Sequence, residues 1–190
     1  MKALEEKILK EGTVLPGHIL KVGSFLNQQI DVEFLMEMGR EIAEKFKGDG
    51  VTKVLTVEAS GIAIAVAAAA QMHVPMVFAK KNKTGNVSGR VYSAQVHSYT
   101  HNRDYNIVVS EEYIGKDDVV LLVDDFLANG AALEGMIEIV NQAGAKVAGM
   151  SCAIEKGFQG GGDKLRAQGY KVESLAIVET MSEDSLTFRK

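Results

Sequence analysis

The chain has a single cysteine, Cys152, among its 190 residues. No intramolecular disulfide can form, which fits a reducing compartment. Cys152 lies inside the apolar run 147–154, with nothing nearby to lower its pKa. It therefore reads as a small buried hydrophobe and not as a nucleophile. Basic charge is also short: 21 Lys and Arg stand against 25 Asp and Glu, for a net charge of -4. That balance excludes a wide electrostatic attraction to nucleic-acid backbones, although it leaves room for a local basic patch. The longest apolar stretch, 61–70, falls far short of the ~20 residues that span a bilayer. The opening MKALEEKILKEG is charged throughout and holds no apolar core of signal-peptide length. None of His18, His73, His97 and His101 stands in metal-ligand spacing with another ligand type, so no protein-built metal site is expected. These absences predict a soluble, cytoplasmic protein that engages neither membrane nor nucleic acid. Repeats, low-complexity tracts and linkers are missing too, which predicts a single domain over 1–190.

What the chain does have is an ordered alternation. Residues 2–11 read as a short amphipathic helix with Leu4, Ile8 and Leu9 on one face and Gly12 as its stop. Residues 15–29 have no clean period and contain Pro16, Gly17 and Gly23, so they read as loop with a short strand. Asp31 is placed to cap a helix from Val32 to about Lys47, with Phe34, Leu35, Met38, Ile42 and Phe46 as its stripe. Strands follow at 51–57, 75–79, 119–123, 146–154 and 171–178, and helices at 62–72, 131–143 and 163–168. Strand and helix taking turns is the pattern of an α/β fold with a mainly parallel sheet covered on both faces. Ligands bind such sheets at the carboxyl ends of the strands. The alternation fails from Lys80 to Asp118, a polar excursion with weak alternation at 92–99 and 105–110. Excursions of that length are usually functional or mobile.

The most informative segment follows the strand at 119–123. It runs Asp124, Asp125, Phe126, Leu127 and then a small-residue turn, Ala128, Asn129, Gly130, Ala131 and Ala132, into a helix. The turn sets backbone N–H groups at a helix N-terminus, which suits an anion. The two carboxylates would repel that anion but suit what hangs from a phosphate: sugar hydroxyls or a metal. Taken alone, the acid pair could equally cap the next helix or face solvent.

The run VVLLVDDFLANGAA resembles the ribose-phosphate-binding motif of type I phosphoribosyltransferases. The resemblance extends in matching order along nearly the whole chain. Glu58, Ala59, Ser60 and Gly61 resemble the family's pyrophosphate loop, and the excursion near 81–110 its mobile loop. LKVGSFLNQQID and IEKGFQ are similar to the family's xanthine-specific branch. Many relatives carry hydroxyl residues in the phosphate turn; here the turn has none. The hypoxanthine-guanine enzymes usually place an acid where Ala128 stands.

The resemblance implies transfer of a phosphoribosyl group from phosphoribosyl pyrophosphate to xanthine. It implies a core of 31–190 under a small hood of about 1–30, and a homodimer. Asp124 and Asp125 would contact the ribose hydroxyls and favour the cationic sugar. Residues Ala128, Asn129, Gly130, Ala131 and Ala132 would hold the 5-phosphate. Glu58, Ala59, Ser60 and Gly61 would hold pyrophosphate by backbone N–H groups, with Lys81 adding charge and Lys80 and Lys83 as further candidates. Leu20, Asn27 and Lys156 would form the base pocket, with Asn27 donating to the 2-carbonyl and Lys156 to the 6-carbonyl. Phe158 would either stack on the purine or fill core. Mg2+ is implied by the pyrophosphate, which supplies most of its ligands. Two other readings stay open: a same-fold enzyme for another base, and a regulator that senses phosphoribosyl pyrophosphate without turning it over. The segment from Leu20 to Asp31 and Lys156 speak against the first. The stretch before the first core strand, which is not basic-rich, speaks against the second.

Overall fold

The computed structural model describes residues 1–81, 89–98, 103–182 and 185–190. The chain opens with α1 (Lys2–Glu11), then a hairpin of β1 (Thr13–Leu15) and β2 (Ile19–Lys21). A π-helical turn, Gly23–Asn27, leads to α2 (Val32–Lys45). The order continues with β3 (Lys53–Val57), α3 (Gly61–Met72), β4 (Met76–Lys81), β5 (Val91–Ser98) and β6 (Arg103–Ser110). It ends with β7 (Val119–Leu127), α4 (Ala131–Gln142), β8 (Lys146–Lys156), α5 (Gly161–Ala167), β9 (Val172–Met181) and β10 (Leu186–Phe188).

One eight-stranded sheet organises the molecule in the order β10-β9-β8-β7-β3-β4-β6-β5. The inner five strands are parallel, and β10, β6 and β5 are added antiparallel at the two ends. This is the α/β architecture expected from the alternation. Residues 121–123, on the central strand β7, are fully buried. Strands covered on both faces read as continuous apolar runs for that reason. One core cluster joins α1, α2 and α3 to one face of the sheet, through Leu4, Ile8, Met38, Ile42, Ile64 and Ala67. A second joins α4 to the other face, through Met136, Ile139, Val140, Leu55, Leu122 and Ile107.

The Asp31 carboxylate accepts from the Phe34 N–H at 3.2 Å, so it caps α2 as its position predicts. Such a cap is worth about 1 kcal/mol. Helices α2 and α3 approach backbone to backbone at Gly39. A Cβ there would stand 2.6 Å from the Ala67 carbonyl and 2.8 Å from the Ala67 Cβ.

The structure departs from the sequence reading in five places. Leu9 is exposed on α1, since the buried stripe needs only Leu4 and Ile8. Residues 15–29, expected to be loop with a short strand, hold the second strand of a hairpin and a π-helical turn; positive φ at Gly17 and His18 closes the hairpin. The 81–110 region, expected to be a mobile loop, holds β5 and β6, two eight-residue strands in full antiparallel register. Residues 82–88 and 99–102, which include Lys83 and His101, lie outside the described residues. Strand β7 runs on to Leu127, because Asp124 and Phe126 stay paired with Cys152 and Ile154 of β8. Helix α5 starts ahead of the expected 163–168, with Gly161 and Gly162 as its first buried residues.

Candidate active site

The extended β7 carries Asp124 and Asp125 to the carboxyl end of the parallel strands. Both are buried, 9% and 7% exposed. The Asp125 N–H donates to Asp124 Oδ1 at 2.9 Å. Burial holds the Asp124 carboxyl well above the ordinary carboxylate range, and the Asp125 charge pushes the same way. The Lys81 charge pulls it back. Two adjacent carboxylates in a desolvated strand end are costly when both are ionised. They are therefore poised to receive positive charge or hydroxyl donors.

The segment from Glu58 to Gly61 links β3 to α3. The Glu58–Ala59 peptide is cis. The Glu58 N–H donates to the Ala79 carbonyl at 3.0 Å, and the Glu58 carboxylate accepts from the Lys81 N–H at 2.6 Å. The side chain of Glu58 thus braces the loop against the end of β4, and Ala59 and Ser60 line the neighbouring cleft. Gly61 is required by space: a Cβ would lie 2.2 Å from Thr56 Oγ1 and 2.8 Å from Asp124 Oδ1. Thr56 Oγ1 is buried with no hydrogen-bond partner among the described residues. This glycine lets the loop sit directly against the acid pair.

The turn from Ala128 to Ala132 opens α4. Gly130 has φ +91°, and Asn129 Oδ1 accepts from the Ala131 N–H at 3.2 Å. The Asn129 amide therefore shapes the turn. Gly161 supports it from behind, donating its N–H to the Ala128 carbonyl at 3.1 Å. A Cβ on Gly161 would meet the Ala128 carbonyl oxygen at 2.4 Å and the Gly130 nitrogen at 2.6 Å. Gly161 is thus a packing surface for the turn, which sequence reasoning missed. Its signal was a second small-residue segment entering a helix.

A cleft of about 330 Å³ gathers Leu26, Asn27, Ile30, Ala59, Ser60, Ala63 and Lys81. Asn27 Nδ2 donates to Asp125 Oδ2 at 3.0 Å, which joins this cleft to the acid pair. Lys81 Nζ stands 5.3 Å from the centre of the Tyr105 ring. Burial raises the Tyr105 phenol pKa, and so does the Asp124 charge. Tyr105 is therefore a neighbour of the site that its weakly alternating sequence did not reveal.

Lys156 ends β8, half-buried, with Nζ donating to the His18 carbonyl at 2.9 Å and lying 5.6 Å from the Phe126 ring centre. Burial lowers its pKa. Phe158 pairs with the His18 ring at 5.4 Å and is partly exposed. Leu20 is buried in the core two residues beyond His18. The structure therefore brings Asn27, Lys81, Asp124, Asp125 and the pyrophosphate-type loop together directly. Lys156 and Phe158 meet the β1–β2 hairpin at His18, whereas Leu20, on β2, is turned into the core and is not brought against them by any described contact. Among the described residues no group of three or more His, Cys, Asp or Glu could hold a metal ion. The adjacent carboxylate pair fits an ion whose remaining ligands come from a substrate.

A parallel sheet carries a buried acid pair and two loops entering helices, 58–61 and 128–132, at its strand ends. The chain belongs to the phosphoribosyl transferase domain family, whose model matches residues 25–181. Xanthine phosphoribosyltransferase from Bifidobacterium adolescentis is 53% identical over 188 residues, 98% of this chain and 97% of that protein. The xanthine phosphoribosyltransferase of Heliobacterium modesticaldum is 51% identical over 99% of this chain and 100% of that protein. Among solved structures, adenine phosphoribosyltransferase from Giardia lamblia complexed with 9-deazaadenine matches with a TM-score of 0.78. It is 23% identical over 94% of this chain and 98% of that one, a likeness of fold. The fold is the type I phosphoribosyltransferase fold.

Proposed function

We propose that the chain transfers the 5-phosphoribosyl group of phosphoribosyl pyrophosphate to N9 of xanthine, releasing xanthosine 5'-monophosphate and pyrophosphate. The observation that carries this reading is the full-length identity of about 50% to xanthine phosphoribosyltransferases, supported by a cleft that sets Ala59, Ser60 and Lys81 beside Asn27, which bonds to the acid pair. The turn from Ala128 to Ala132 takes the 5-phosphate on backbone N–H groups at the start of α4. Ala59, Ser60 and Gly61 take the pyrophosphate, with Lys81 adding charge. Asp124 and Asp125 accept from the ribose hydroxyls. As the bond from the anomeric carbon to the pyrophosphate oxygen breaks and the bond to N9 forms, the sugar gains positive charge. Buried, preorganised acid groups stabilise that charge more than they stabilise the neutral sugar, which lowers the barrier. Magnesium, when bound, neutralises the departing pyrophosphate. It would be held mainly by substrate oxygens.

In this reading Asn27 and Lys156 donate to the two carbonyls of xanthine, and the 1–30 segment is the hood that carries Leu20 and Asn27. A homodimer in the cytoplasm completes the reading. Initial rates with phosphoribosyl pyrophosphate, magnesium and each of xanthine, guanine, hypoxanthine, adenine and orotate test it. Strong preference for xanthine is expected. Turnover of a different base would discard the pocket, and binding of phosphoribosyl pyrophosphate without turnover of any base would favour a sensor.

A further inference from the structure

Asn27 stands on the base side of the cleft, yet its one described side-chain bond runs to the ribose side. Asn27 Nδ2 donates to Asp125 Oδ2 at 3.0 Å. The carboxylate accepts only, so the amide nitrogen must face it; the flipped amide would set oxygen against oxygen. The mount is firm. Asn27 ends the π-helical turn, whose Phe25 and Leu26 are each 1% exposed. The turn is closed by the Gln29 N–H to the Gly23 carbonyl at 2.8 Å and the Asp31 N–H to the Phe25 carbonyl at 3.0 Å. Asp31 in turn caps α2. Asn27 itself is exposed, while Asp125 is buried.

From this geometry we infer that Asn27 is a positioning residue for Asp125, fixing the carboxylate that meets the ribose before any base arrives. The inference rests on the proposed assignment of Asp125 to the ribose. An exposed amide donating to a buried carboxylate adds nothing the fold requires for packing. Its effect is to hold one oxygen of Asp125 and leave the other for a hydroxyl. The second N–H of the same amide stays free to meet a base carbonyl, so one side chain would couple the two halves of the cleft. An Asn27 that reads only the base has no influence on phosphoribosyl pyrophosphate in the absence of base.

The test is calorimetric titration of phosphoribosyl pyrophosphate with magnesium into the full chain, with no base present. Wild type, Asn27→Ala and Asn27→Asp are compared. Loss of a hydrogen bond to a charged group predicts about tenfold weaker binding for Asn27→Ala. Asn27→Asp keeps the shape but sets a second carboxylate against Asp125, so it should bind more weakly still. Equal affinity in all three, with only the xanthine KM raised, overturns the inference and leaves Asn27 a base contact. An Asp variant that binds like wild type while Ala is weak overturns it as well, because shape alone would then suffice. Wild type that fails to bind phosphoribosyl pyrophosphate overturns the functional reading and this inference together. Because Asn27 is exposed, neither substitution threatens the core, and unchanged thermal unfolding confirms that the variants are folded.

Discussion

At the scale of single residues, Asp124 sets catalysis against stability. Its folded-state pKa lies well above the usual carboxylate value because it is buried beside Asp125. A raised acid binds its proton more tightly in the folded state than in the unfolded one. Its contribution to stability is therefore fully present below the unfolded value of about 3.9 and is lost as pH rises through the folded value. Asp31, Asp118 and Asp163 are lowered and slope the other way. The wild type and Asp124→Asn should accordingly be compared as a difference across pH. The variant is expected to unfold at a higher temperature at neutral pH, by about 2–4 °C for each kcal/mol relieved, and to converge with wild type on acidification. Differential scanning calorimetry reads this directly. The double variant Asp124→Asn with Asp125→Asn should retain the fold and lose transfer; full activity would refute the ribose role.

Among the elements, α5 offers the sharpest contrast. Gly160 has φ +75° but open space around a would-be Cβ, whereas Gly161 has no space against the turn from Ala128 to Gly130. Gly160→Ala should cost about 1–2 kcal/mol of stability through its left-handed backbone and leave the substrate KM values near wild type. Gly161→Ala must push α5 off the turn, costing about 1–3 kcal/mol. Its KM for phosphoribosyl pyrophosphate should rise well beyond that of Gly160→Ala in the same steady-state assay. The far end of α5 is held by the Arg166 guanidinium, which donates to both oxygens of the fully buried Glu155 at 2.8 and 2.7 Å. None of this was legible in the three glycines at 160–162, because close approach depends on what the other segment brings. Helix α2, with its Asp31 cap and full apolar stripe, was legible, as were the parallel strands, since double-sided burial writes itself as a continuous run. The β5–β6 hairpin was not. Its strands lie at one end of the sheet, where alternation weakens and polar residues intrude. The acid pair and the anion turn could be read from their order alone; Tyr105 and the Asn27–Asp125 bond could not, because both cross between segments far apart in the chain.

For the whole molecule, the exposed apolar side chains bear on assembly. Val66 on α3 and Phe78 on β4 are 49% and 38% exposed. These elements pack on one another, and isolated exposed hydrophobes are ordinary while grouped ones mark interfaces. The proposed homodimer would cover them. Light scattering behind size exclusion should give about twice the 20.5 kDa chain mass. Val66→Glu should shift that toward a single chain. A monomeric wild type would remove the dimer from the reading without touching the site.

The contact of Gly39 with Ala67 reaches further than packing. Side chains that meet through long, branched groups can change rotamer and share a small displacement among them. At this crossing there is only backbone against backbone and a methyl group. Helix α3 therefore has one depth on the sheet, and the loop at its start inherits that depth. The pyrophosphate proposed for Ser60 and Gly61 would meet something closer to a machinist's gauge than to a spring.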